Sequence, residues 1–325
     1  MKKCMGLTLI LLLCLFTPVQ AQKKKLAQTG FQFLKIGLSA RAEAMGGAYS
    51  MVGDGADAMF YNPAGMARMD SKIQMVAHRV QWIADINYTA LGTAYKTSHG
   101  IFAVNFGAVN YGELIGTQVA GNEKGFTETG SIDVGAYFAG LAYSKQLTNK
   151  FFIGGQIKYV SEHLGSSTIS PVGTSNVAVD NKADAINFTF GTIYYTGLRS
   201  LRLGIYIRNF SPEIEYQKIG FQLPLTFHIG AAMELFDSPS HSLSLAFDAI
   251  HPRDFSERIY LGGEYWFQEF LALRVGYKFN HDMESLTAGA GVMQRIGERQ
   301  VLIDYSFTRN EFFANVSRFS VGIAF

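Results

Sequence analysis

A period of two, sustained through most of the chain, restricts the fold more than any other feature. From Leu271 to Phe279, Leu271, Leu273, Val275, Tyr277 and Phe279 fall on one side of the alternation; Ala272, Arg274, Gly276 and Lys278 fall on the other. Successive side chains of an extended strand point to opposite faces, so this stretch makes a strand with one apolar face and one face of charge and glycine. The pattern returns where Leu201, Leu203, Ile205 and Ile207 alternate with Arg202, Gly204, Tyr206 and Arg208, and where Val301, Ile303, Tyr305 and Phe307 alternate with Leu302, Asp304, Ser306 and Thr308. A soluble sheet with one wet face contains such strands as well. This many of them, over nearly a whole chain, fit better a membrane barrel with lipid outside and a polar lumen inside.

Fourteen strands are predicted, at 71–82, 86–97, 100–112, 131–146, 150–163, 184–196, 201–211, 221–236, 241–251, 258–268, 270–280, 284–295, 299–309 and 315–325. An even number lets a single antiparallel chain close, and closure removes the sheet edges that lipid cannot satisfy. Every second connection is short, as at Thr148-Asn149 and Gln268-Glu269, and reads as a periplasmic turn. The alternate set includes 113–130, 164–183, 212–220 and 252–257 and reads as outward loops; 164–183 carries Ser166 to Gly173 as a mobile-looking piece. Trp82, Tyr265, Trp266 and Phe267 near strand ends suit an interfacial aromatic girdle.

The chain opens with Met1-Lys2-Lys3, an apolar run from Leu7 to Phe16 and Val19-Gln20-Ala21, which reads as a signal peptide cleaved after Ala21. Both cysteines, Cys4 and Cys14, fall inside it, so the expected exported protein has no disulfides. Loss of Lys2 and Lys3 turns 28 basic and 26 acidic residues into 26 of each, a balance that points away from nucleic acid. The expected division is therefore signal peptide 1–21, an N-terminal extension and hatch 22–70, and a barrel 71–325 in the bacterial outer membrane. Its surroundings would be membrane lipids and lipopolysaccharide, with the N-terminus periplasmic or inside the barrel. Phe325 ends a last strand of the kind that outer-membrane barrels present to their assembly machinery.

Residues 30–70 break the alternation. Ala40-Arg41-Ala42-Glu43-Ala44-Met45-Gly46-Gly47-Ala48 packs small residues densely, and Tyr61-Asn62-Pro63-Ala64-Gly65-Met66 reads as a turn entering a short helical stretch. A segment this small and apolar suits a compact plug in the lumen better than a disordered tail. Its candidate site residues are Arg41, Glu43, Met45, Gly46, Gly47, Asn62, Pro63 and Gly65. Arg41 and Glu43 are expected to pair with the lumen charges Arg208, Arg274, Lys278 or Asp304. Gly289 and Gly291 suit a thin wall or a lateral contact site, or, more commonly for such residues, barrel curvature or close packing of the plug.

With Phe33-Leu34-Lys35-Ile36-Gly37, these two motifs make the chain similar to the PorV/PorQ family of Bacteroidota outer-membrane proteins, within the FadL-like barrel group. The resemblance implies fourteen strands and an N-terminal hatch. It also implies one of two functions. One is binding or scaffolding of protein partners in type IX secretion: carrying cargo C-terminal domains from the translocon, or sitting in the surface attachment complex. The other is passive diffusion of small hydrophobic molecules, with lateral exit near the hatch.

Catalysis has no visible footing. The histidines at 78, 99, 163, 228, 241, 251 and 281 lack metal-ligand spacing, and neither a G-x-S-x-G elbow nor HExxH occurs. Gly53-Asp54-Gly55 is followed by no Walker lysine. No enzyme activity, metal or cofactor is expected.

Overall fold

The structure, a computed structural model, describes residues 28–169, 177–216 and 219–325. The signal peptide expected at 1–21 and the Ser170 to Gly173 part of the second outer loop lie outside the described residues. In chain order the strands are β1 (Ile73–Gln81), β2 (Asn87–Thr97), β3 (Gly100–Asn110), β4 (Leu114–Val119), β5 (Phe126–Ile132), β6 (Gly135–Thr148), β7 (Phe151–Ile169), β8 (Val177–Tyr195) and β9 (Arg202–Phe210). Then follow β10 (Ile214–Glu215), β11 (Gly220–Phe221), β12 (Thr226–Asp237), β13 (His241–Pro252), β14 (Arg258–Phe267), β15 (Leu271–Phe279), β16 (Glu284–Ile296), β17 (Arg299–Asn310) and β18 (Val316–Ala324).

Fourteen of them close an antiparallel barrel. β1 and β18 seal it, from Gln74 opposite Ala324 to Gln81 opposite Ser317. Phe325 continues that seam: its amide donates to the Ile73 carbonyl at 2.9 Å, and its ring lies under the Arg299 guanidinium at 5.1 Å. The predicted alternation is realised on β15, where Leu273, Val275, Tyr277 and Phe279 are exposed and Ala272, Arg274, Gly276 and Lys278 are buried. Apolar side chains thus form the outward face of the wall, and charge and glycine turn inward.

Each predicted strand has its counterpart, but the two long outer loops contain more structure than expected. β4 and β5 form a two-stranded ribbon within 113–130, and β7 and β8 run on as a hairpin to Ile169 and from Val177. Beyond the membrane both faces of a strand meet water, so the apolar alternation that betrays a strand disappears. The aromatic girdle also needs correction. Trp82 and Trp266 turn inward, beneath Arg318 and Arg274 at 5.7 and 5.4 Å, because paired guanidiniums in the interior offer their rings a partner.

Candidate functional site

Residues 29–70 pack as short pieces against the inward face of the wall. They include a 3-10 turn at Gln32–Lys35, a one-turn α-helix at Ala40–Ala44, and 3-10 helices at Gly55–Phe60 and Pro63–Arg68. Ser39 caps the α-helix by accepting from the Ala42 amide at 3.4 Å. Asn62 caps the last turn by accepting from the Ala64 amide at 3.1 Å, and Pro63 supplies a first residue that needs no amide partner.

None of these pieces is long enough to be stable alone. They are held by close contact with glycines of the wall. A Cβ on Gly276 or Gly262 would strike the Met45–Gly46 backbone; one on Gly154 would strike Pro63 and Ala64. Gly46 itself turns with φ 68°, a conformation that favours glycine. Met45 is fully buried. A Cβ on Gly47 would meet the Tyr260 ring at 3.2 Å, and one on Gly65 would meet the Gly53 carbonyl. A Cβ on Gly289 would strike the Ala44 methyl, so close packing of the segment is present at that glycine. Asn62 Nδ2 donates at 3.2 Å both to Ser50 O within the segment and to Thr192 O on β8.

Buried charge ties the segment to β14–β18. Lys278 Nζ donates to Glu43 at 2.7 Å and to Glu284, while Arg318 Nη2 lies 3.6 Å from Glu43 and its Nε donates to Gly37 O at 2.8 Å. Arg41 forks onto both oxygens of Glu264 at 2.8 Å, and Arg274 bridges Glu264 and Asp304 at 2.5 and 2.6 Å. Burial pushes the Glu43 carboxyl up, but Lys278 and Arg318 overcome it and hold the carboxyl below its ordinary value. The expected pairing of Glu43 with Lys278 is therefore present. Arg41 instead finds Glu264, a residue the sequence reasoning missed. Its signal was register: Glu264 faces Arg274 across β14 and β15. Arg208 stands apart from this lattice and donates to Leu34 O.

One further cluster mimics a catalytic triad. His78 Nδ1 lies 2.8 Å from Ser320 Oγ, and its Nε2 lies 3.2 Å from Asp57. Ser320 Oγ also accepts from the Ala40 amide at 2.9 Å, and all of Ser320 and His78 is buried. With its oxygen engaged in this way, this serine braces the segment against β1 and β18. Among the described residues no His, Cys, Asp or Glu group is arranged to hold a metal.

Two large cavities flank the segment and the wall. A vestibule of about 500 Å³ opens on the outer side of the segment, bounded by residues 32–37, Trp82, Tyr111, Phe255, Met283 and the Glu43–Lys278 pair. A groove of about 530 Å³ runs along the lipid-facing surface over Gly262, Gly263 and Gly276, on the other side of the wall from Met45. The β14–β15 ladder beneath it is unbroken from Ile259 opposite Phe279 to Phe267 opposite Leu271.

The family described as type IX secretion system membrane protein PorP/SprF matches residues 56–315. The fold is similar to that of the toluene transporter TodX of Pseudomonas putida, at 12% identity and TM-score 0.59, covering 93% of this chain and 98% of that one. It is similar also to the toluene transporter TbuX of Ralstonia pickettii, at 15% identity and TM-score 0.55, covering 89% and 97%. A FadL homologue of Pseudomonas aeruginosa aligns at 12% identity and TM-score 0.55, covering 89% and 98%. No curated protein sequence matches the chain.

Proposed function

The chain belongs to the PorP/SprF family of type IX secretion system membrane proteins, and from that premise we propose that it is a hatch-closed scaffold that docks a secreted or surface-attached protein at its outer rim. It is an integral outer-membrane β-barrel, a transport or scaffold protein and not an enzyme. The observation that carries the proposal is the β4–β5 ribbon. It stands outside the barrel ring and exposes Ile115 and Phe126, with Val119 at its tip 93% exposed. Apolar residues on a two-stranded ribbon beyond the membrane suit a protein partner, through added strands or an apolar anchor.

In this reading residues 29–70 are a hatch. Arg41, Glu43, Met45, Gly46, Gly47, Asn62, Pro63 and Gly65 secure it, with Arg274, Lys278 and Asp304 as their support on the wall, and Phe325 presents the last strand for assembly. An ion lattice spanning hatch and wall favours a hatch that stays shut while partners bind outside. The second reading, a passive channel for small hydrophobic molecules with lateral exit, is favoured by the vestibule and by the fold shared with the toluene transporters. The unbroken β14–β15 ladder argues against an exit at the groove.

Native co-purification from outer membranes, with mass spectrometry of the partners, separates the two. Recovery of secreted proteins or of translocon components, lost when Val119 and Ile115 become Asp, supports docking. Recovery of the barrel alone with an apolar molecule in the vestibule refutes docking and favours the channel.

A further inference from the structure

Most interior cations stand against a carboxylate, as Lys278, Arg274, Arg41, Arg202 and Lys35 do. On β7 and β9 two do not. Among the described residues no carboxylate lies within ion-pair range of Lys158, which is 6% exposed, or of Arg208. Both line the same small cavity. Arg208 points inward beside an irregularity of the wall: the β8–β9 register shifts between Phe188 and Phe190, and Asn209 takes φ 60°.

A small cavity of about 20 Å³ touches both cations. Tyr88 and Phe138 line it from the wall, and the turn around Gly37 with Tyr61 lines it from the N-terminal segment. It has room for one particle about the size of water. Two cations in a confined, aromatic-walled space need compensation that water does not supply and an anion does. Lys158 Nζ lies over the face of the Phe138 ring at 5.2 Å, a contact weaker than a full counter-charge.

The surroundings of Lys158 point the same way. Asn105, Gly140, Lys158 and Asn187 form one inward row across β3, β6, β7 and β8, and Gln156 pairs with Thr189 in the next row. Asn105, Gln156, Asn187 and Thr189 are each at most 5% exposed, and their side-chain polar atoms have no hydrogen-bond partner among the described residues. Amide and hydroxyl donors beside an unpaired ammonium make an environment for negative charge.

We propose that a halide-sized monovalent anion binds between Lys158 and Arg208, in the cavity beside Gly37, and pins the N-terminal segment to the β7–β9 side of the barrel. On the β14–β18 side that junction is made by Glu43 and Arg41. Among the described residues no ion pair crosses from the segment to β6–β9, so the anion supplies the charge contact missing there. The site needs only the contact between segment and wall, and stands whether the barrel docks proteins or passes small molecules.

The test uses the full purified barrel. Thermal unfolding is compared in sodium bromide and sodium gluconate at equal ionic strength, and bromide is located by anomalous diffraction. The midpoint should rise by a few degrees, saturably, in bromide over gluconate, as it does for any ligand bound by the native state alone. One anomalous peak should lie within hydrogen-bond reach of Lys158 Nζ and the Arg208 guanidinium. In Lys158→Met the bromide dependence should vanish. Equal midpoints in the two salts, an undiminished dependence in Lys158→Met, or no peak at this position would each overturn the proposal. The diffraction result on the unsubstituted protein decides the matter even if the variant does not fold.

Discussion

Replacing Lys278 by Met tests the ion lattice most directly. Lys278, Glu43, Glu284 and Arg318 are 6%, 4%, 3% and 1% exposed, so water does little to screen them. Together they carry two positive and two negative charges. Lys278→Met leaves two carboxylates facing Arg318 alone, at 3.6 and 4.0 Å. Breaking a buried pair in this way costs about 3–5 kcal/mol, because the charge left behind is neither solvated nor matched. Adding Glu43→Gln restores neutrality, with Arg318 balanced by Glu284. The double variant should therefore be more stable than Lys278→Met alone, with a coupling of roughly 1–3 kcal/mol. Urea unfolding in detergent micelles reads this through tryptophan fluorescence. Both tryptophans are well placed for it: Trp82 lies beneath Arg318 and Trp266 beneath Arg274. Additive costs, or a loss below about 1 kcal/mol for Lys278→Met, would refute the claim that this lattice holds the segment to the wall.

Gly276→Val should displace the Met45–Gly46 backbone and cost about 1–3 kcal/mol through overpacking, seen as new protease cleavage within residues 28–70. Asn62→Ala removes a helix cap and two bonds to carbonyls and should lower stability by about 0.5–2 kcal/mol, measured by the same urea titration. Acid should loosen the segment. Glu43 is held below its ordinary 4.5, and Asp254, despite burial, below its ordinary 3.8 by hydrogen bonds from Lys35 and Thr29. For depressed carboxyls the contribution is complete above the ordinary value and lost as pH falls through the folded one, so unfolding midpoints should hold steady from pH 7 to about 5 and drop below about 4.5. Val119→Asp should leave stability within about 0.5 kcal/mol, since the side chain is almost fully exposed, while it removes co-purified partners.

Sequence by itself determined the wall. A period of two needs no knowledge of neighbouring strands: the side that carries Leu273, Val275 and Tyr277 must leave water, and the side that carries Arg274 and Lys278 must avoid lipid, so the strands, their number and their inside and outside follow from local pattern. The motifs around Ala42 and Asn62 announced a packed segment because small residues in such density serve close approach. The tertiary structure alone decided which charges meet. Glu264, Glu284 and Arg318 lie more than 200 positions from Arg41 and Glu43, and only barrel closure brings them to one place. The outer ribbon and hairpin extension were hidden for the opposite reason, since strands wet on both faces leave no alternation to read. Nor could the sequence tell that Lys158 and Arg208 have no acid within ion-pair range among the described residues, because absence of a partner is a property of everything that surrounds a residue, and nothing along the chain records it.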